Sequence, residues 1–148
     1  MIRQFFAITV CCIAALPASA SVELKKDDAA KTVAVTINGR DFSTYTFADA
    51  QPKPYMWPVR GGDGTILTRP IYNDRSQGDH IHHKGVWVAV DEVGGVKFWA
   101  EDGKIANRSV EVTVAKGNPV KMKVTNDWLD PEGKAIVRET TMVSIWEN

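Results

Sequence analysis

Cysteine is almost missing from this 148-residue chain, and its two copies, Cys11 and Cys12, both fall within the first twenty residues. Everything after residue 20 must therefore hold together without a disulfide, and a cysteine nucleophile or a Cys-x-x-Cys pair is excluded there. An excess of one charge is lacking too. Eighteen basic residues stand against eighteen acidic ones, so no basic field draws nucleic acid or anionic lipid, and no acidic tail argues for disorder. After residue 20 no apolar run reaches the roughly 20 residues that cross a bilayer. A sustained helical period, an internal repeat, a phosphate-cradling glycine loop and a Gly-x-Ser-x-Gly elbow are absent as well.

What is there begins with a leader. Arg3 gives a positive start, an uncharged apolar stretch runs over residues 5–16, Pro17 interrupts it, and Ala18-Ser19-Ala20 is a small-x-small cleavage pattern. These three parts predict a secretory signal peptide over 1–20, and a single domain over 21–148 that is periplasmic or secreted. Residues 135–146 read as a strand that stops at Glu147-Asn148 without a turn or cap, so 21–148 is expected to be the N-terminal portion of a larger domain.

Strand periodicity dominates that domain. Val33, Val35 and Ile37 alternate with Thr32, Ala34 and Thr36, and Asn38-Gly39 follows, the pair best suited to the positive φ angles of a tight hairpin turn. A hairpin over 32–47 is predicted. Pro52, Pro54 and Pro58 rule out a central strand or helix over 49–58. Further strands are expected at 65–69, 85–91 and 96–99, the last after a Gly94-Gly95 turn, with a loop over 70–79. A meander then follows: 109–115, a Gly117-Asn118-Pro119 turn, a strand with Val120, Met122 and Val124 inward, an Asp130-Pro131-Glu132-Gly133 turn, and 135–146. The charged run Lys25-Lys26-Asp27-Asp28 reads as a solvated lead-in. The whole predicts an all-β fold, an antiparallel β-sandwich.

All three histidines lie within Asp79-His80-Ile81-His82-His83. On a strand His80 and His82 would share one face about 7 Å apart, with His83 on the other. Three chemistries suit such a run. Imidazoles can hydrogen-bond a polar ligand and one can act as acid or base, with Asp79 orienting a ring. They can serve a non-catalytic glycan-binding module. They can also hold a metal, His-x-His being a recurrent half-site, in which case Glu92, Glu101 or Glu111 would have to arrive from elsewhere. The plainest alternative is a satisfied polar corner. Arg60, Arg69 and Arg75 precede the run, and Trp57, Trp87 and Trp99 flank it; indoles stack on sugar rings, while guanidinium groups fork onto hydroxyls or carboxylates. The expected site is therefore His80, His82, His83 and Asp79 for chemistry, with Arg60, Arg69, Trp57 and Trp87 for a small-molecule or glycan ligand. The cofactor and the oligomeric state stay open.

Several segments occur in a telling order: Lys53-Pro54-Tyr55-Met56-Trp57-Pro58-Val59-Arg60-Gly61, Leu67-Thr68-Arg69, Asp79-His80-Ile81-His82-His83-Lys84-Gly85-Val86-Trp87 and Val96-Lys97-Phe98-Trp99. Trp128-Leu129-Asp130-Pro131-Glu132-Gly133-Lys134 and Arg138-Glu139-Thr140 extend the set. Together they resemble a bacterial family of unknown function labelled methane oxygenase PmoA, or PmoA-like. The resemblance covers most of 21–148, and its histidine segment is the most specific part. It implies a longer parent chain, a mutarotase-like supersandwich and a place in carbohydrate metabolism. Lys97 stands where that family carries Asp before Phe-Trp, so no carboxylate role transfers to it. A membrane-embedded oxygenase would need spanning segments that this sequence lacks, so the label travels as a name only.

Overall fold

A computed structural model describes residues 21–72, 78 and 80–147. The leader expected over 1–20, Asp79, Arg75 and most of the loop expected over 70–79 lie outside the described residues. Among the described residues there are eight strands and no helix: β1 (Val22–Asp27), β2 (Thr32–Ile37), β3 (Arg40–Thr46), β4 (Tyr55–Met56), β5 (Lys104–Val114), β6 (Lys116–Gly117), β7 (Val120–Leu129) and β8 (Ala135–Ile145). They form two antiparallel sheets, one ordered β4-β3-β2-β1-β6 and the other β5-β7-β8. The all-β sandwich expected from the alternation is what the chain adopts.

Local chemistry explains the hairpins. Asn38 and Gly39 take φ of 51° and 74°, the left-handed conformation that closes β2 onto β3. The β7–β8 turn is tied by the Asp130 carboxylate, which accepts the Lys134 N–H at 2.7 Å, and by Gly133 N–H donating to the Asp130 carbonyl at 2.9 Å. Between β5 and β6 the chain changes sheets. Val114 still pairs with Lys121 in the second sheet, whereas Lys116 and Gly117 pair with Glu23 and Val22 in the first.

The two sheets bury one apolar layer between them. Val22, Leu24, Val33 and Val35 from one side meet Val110, Val120, Met122 and Val124 from the other. At about 1.5–3 kcal/mol for each fully buried side chain of this kind, the layer is the main source of stability. A second, smaller cluster joins Phe98 to Ile105 and Trp128, with the Phe98 and Trp128 rings 4.9 Å apart. Phe98 thereby anchors the long 81–103 connection onto the second sheet.

Three expectations need correction or completion. Lys25, Lys26, Asp27 and Asp28 are exposed, as a solvated lead-in requires, but residues 22–27 also form a strand: β1 pairs with β2 along its full length and with β6 on its other side, because Val22 and Leu24 are core residues. Residues 65–69 are not a strand; one isolated pairing, Arg60 with Ile66, is all they make. Residues 85–91 and 96–99 are not strands either. Their side chains do alternate in exposure, with Val86, Val88 and Val90 outward, but their backbone pairing stops at the isolated bridges Met56–Val86 and Val93–Val96 and one hydrogen bond from the Trp99 N–H to the Val90 carbonyl at 3.1 Å, too little for a ladder. Alternation reports which way side chains point; a ladder needs a neighbouring backbone as well.

Candidate functional site

The histidine run is a turn, not a strand. His80 takes φ of 50°, and the His83 N–H donates to the His80 carbonyl at 2.9 Å, so the chain reverses at Ile81-His82. Two residues later Gly85 adopts φ of 83°, and a Cβ there would stand 2.4 Å from the Met56 carbonyl oxygen. Only glycine fits. That close approach lets Val86 and Met56 exchange both backbone hydrogen bonds, at 2.8 and 3.0 Å, which fastens the turn to the β4 edge.

Beneath the turn lies a buried charge cluster. Lys84 points inward, donating to the Ile81 carbonyl at 3.1 Å and to both Glu101 oxygens at 2.9 and 3.0 Å. Lys53 Nζ, 1% exposed, sits 3.1 Å from Glu101 Oε1 as a buried ion pair. Its ammonium also lies 4.8 Å from the centre of the Trp87 ring, within cation–π range. Burial pushes the Lys53 pKa down, against the pull of Glu101. Two buried ammoniums thus share one carboxylate.

The turn brings three imidazoles together. His80 and His83 stack with centroids 4.9 Å apart, and His82 meets them edge-on at 5.6 and 4.5 Å. One ring nitrogen from each can be chosen so that all three lie within 4.8 Å of one another. The expectation that His83 would face away from the other two is overturned, because a turn does not alternate sides. Indoles wall the cluster: His83 lies 5.5 Å from Trp87 and 5.7 Å from Trp99, and His82 lies 6.3 Å from Trp99. Burial, then the neighbouring His83 and Lys53, holds the His82 pKa below the usual imidazole range.

The remaining expected residues divide. Arg69 and Thr68 share a recess of about 270 Å³ with His83, Gly85 and Trp87, so Arg69 belongs to the site's rim. The Arg69 guanidinium also lies 5.1 Å from the Tyr72 ring. Trp57 does another job: its indole N–H donates to the Arg69 carbonyl at 3.0 Å and fixes the rim's backbone. Arg60 lines a different recess, with Arg40, Phe42 and Trp146, and its Nη1 donates to the Gly64 carbonyl at 3.2 Å. Of the three glutamates expected from elsewhere, Glu101 reaches the underside of the turn, where it binds Lys84 and Lys53.

Sequence reasoning missed the Lys53–Glu101–Lys84 cluster. Lysines ordinarily lie in solvent, and the available signals were weak: Lys53 between two prolines, Lys84 between a histidine and a glycine. A smaller, more apolar cleft of about 200 Å³ runs between Tyr45, Met56, Val88, Met122 and Val143. Its single carboxylate, Glu139, already accepts from Trp128 Nε1 at 2.7 Å and from Thr141 Oγ1 at 2.5 Å. The chemistry-bearing groups gather at the histidine turn.

A family model described as a family of unknown function (DUF6807) matches residues 32–148, and the chain belongs to that family. The match takes in β2 to β8 and the histidine turn. No curated protein and no solved structure matches the chain significantly.

Proposed function

We propose, from a family membership that assigns no activity, that this chain binds a polyhydroxylated small molecule of the carbohydrate class at the His80–His83 turn. One observation carries the reading: His82 and His83 are in ring contact with Trp99 and Trp87, so hydrogen-bonding nitrogens and indole surface share one rim. A sugar ring has an apolar C–H face and a fringe of hydroxyls, and a site for it needs both kinds of surface side by side. Trp99, 40% exposed, offers the apolar part, while the imidazoles and the Arg69 rim offer the polar part. The PmoA-like resemblance supports the same class, since it implies carbohydrate metabolism, and the leader expected over 1–20 would place that binding outside the cytoplasm.

Titration calorimetry against a panel of mono- and oligosaccharides tests this. At least one should bind, and the His82→Ala/His83→Ala double variant and Trp99→Ala should each weaken it by about tenfold or more, the scale of a lost stacking or charge-free polar contact pair. Undiminished affinity in both variants, with the fold verified by circular dichroism, would overturn the reading.

A further inference from the structure

We propose that His80, His82 and His83 form a binding site for one divalent ion of the borderline class, such as zinc, nickel or cobalt. Its open coordination positions would receive oxygens of the bound molecule, and this second part rests on the carbohydrate-class reading above.

The geometric case starts from distance. Bonds of about 2.0–2.1 Å to a tetrahedral ion place its nitrogen ligands about 3.4 Å apart. The three imidazole nitrogens lie within 4.8 Å of one another, so side-chain rotations that close a little over about 1 Å at the widest pair bring them to an ion. An imidazole has two ring nitrogens, so one can be held by an orienting partner while the other turns to a metal. Three imidazole nitrogens suit zinc, nickel, cobalt, iron(II) or copper better than calcium or magnesium, which prefer oxygen. Three protein ligands also leave positions open, the pattern of a site that works on a bound molecule and not of a closed structural one.

The support beneath the turn fits the same assignment. A chelate drawn from four consecutive residues loses affinity if its loop wanders, and this loop is held at three points. Lys84 grips the Ile81 carbonyl and Glu101, the Val86–Met56 bridge closes the C-terminal side, and Trp87 and Trp99 pack against the rings. Lys53 and Lys84 against Glu101 leave one positive charge behind the site. That charge opposes the ion somewhat and favours an anionic or strongly polarised oxygen in its open position.

Metal alone is the probe. The full chain, expressed without a polyhistidine tag, is stripped with chelator, exposed to zinc or cobalt(II), and dialysed. Elemental analysis should then find one ion per chain, and cobalt(II) should give the visible absorption of a low-coordinate nitrogen site. His80→Ala, His82→Ala and His83→Ala should each weaken binding by about tenfold or more, and the triple variant should abolish it. His→Gln at the same positions repeats the test with closer side-chain size should an alanine variant unfold. Absence of stoichiometric metal in the parent chain, or full retention in the folded triple variant, overturns the proposal. Saccharide titration with and without chelator separates the two readings. Metal bound without any saccharide leaves the ion site standing and removes the ligand reading; saccharide bound equally in chelator, by a chain that takes no metal, does the reverse.

Discussion

Lys84 and Glu101 are joined by two hydrogen bonds of 2.9 and 3.0 Å across seventeen residues of chain, and the same ammonium holds the Ile81 carbonyl inside the histidine turn. The pair therefore couples the shape of the turn to the far end of the 81–103 connection. Glu101 is also the counter-ion of Lys53.

That sharing makes the two partners unequal. Glu101→Gln strands two buried ammoniums and should cost about 3–5 kcal/mol, the usual penalty for an uncompensated buried charge. Lys84→Met leaves Lys53 and Glu101 paired and should cost clearly less, although it frees the turn. Urea unfolding of both variants checks the order. Equal losses would show that the carboxylate is not the hub.

Gly85→Ala puts a methyl group 2.4 Å from the Met56 oxygen at a φ of 83°. Left-handed conformation alone costs roughly 1–2 kcal/mol, and the clash adds to it. The variant should lose about 2 kcal/mol or more in denaturant unfolding, and backbone amide resonances should shift at Met56 and Val86. Wild-type spectra and stability would show that the turn is not fastened there.

Two methionines provide an internal control for the core. Met122 is 0% exposed between the sheets, whereas Met142 is 62% exposed on β8. Met122→Ala should cost about 2–5 kcal/mol and Met142→Ala about 0.5 kcal/mol or less. Thermal unfolding of the pair suffices to test this.

Acid should weaken the second sheet through Asp127. Hydrogen bonds from Arg138 at 2.9 Å and Arg108 at 2.7 Å hold its carboxyl at a pKa of about 2, against an ordinary 3.8. A depressed carboxylate pKa contributes stability that is fully present above the unfolded value and lost as pH falls through the folded one. The chain should therefore lose stability between about pH 4 and pH 2, and Asp127→Asn should flatten that part of the profile. Unfolding midpoints measured from pH 5 to pH 2 give the answer; identical slopes would remove Asp127 from the account.

Much of the fold was legible because its causes are local. Val33, Val35, Asn38 and Gly39 specify a hairpin within eight residues, and Val120, Met122 and Val124 specify a buried strand face by alternation alone. β1 was hidden because Lys25, Lys26 and Asp27 outweigh Val22 and Leu24 in any local reading, although two flanking strands hold it in place. The 85–91 stretch misled in the opposite direction. Its alternation is real, yet pairing depends on where a second backbone lies, which no local pattern encodes.

The histidine run shows the same division. From the sequence by itself came the all-β class and the concentration of imidazoles beside tryptophans, because composition and spacing are properties of the chain. Whether His83 faces its neighbours or turns from them was decided in three dimensions. The contact of Gly85 with Met56 and the ion pairs that bring Lys53 and Lys84 to Glu101 join segments distant in sequence. Those contacts make a turn out of residues that local alternation would lay flat, and the turn is what gathers the three rings.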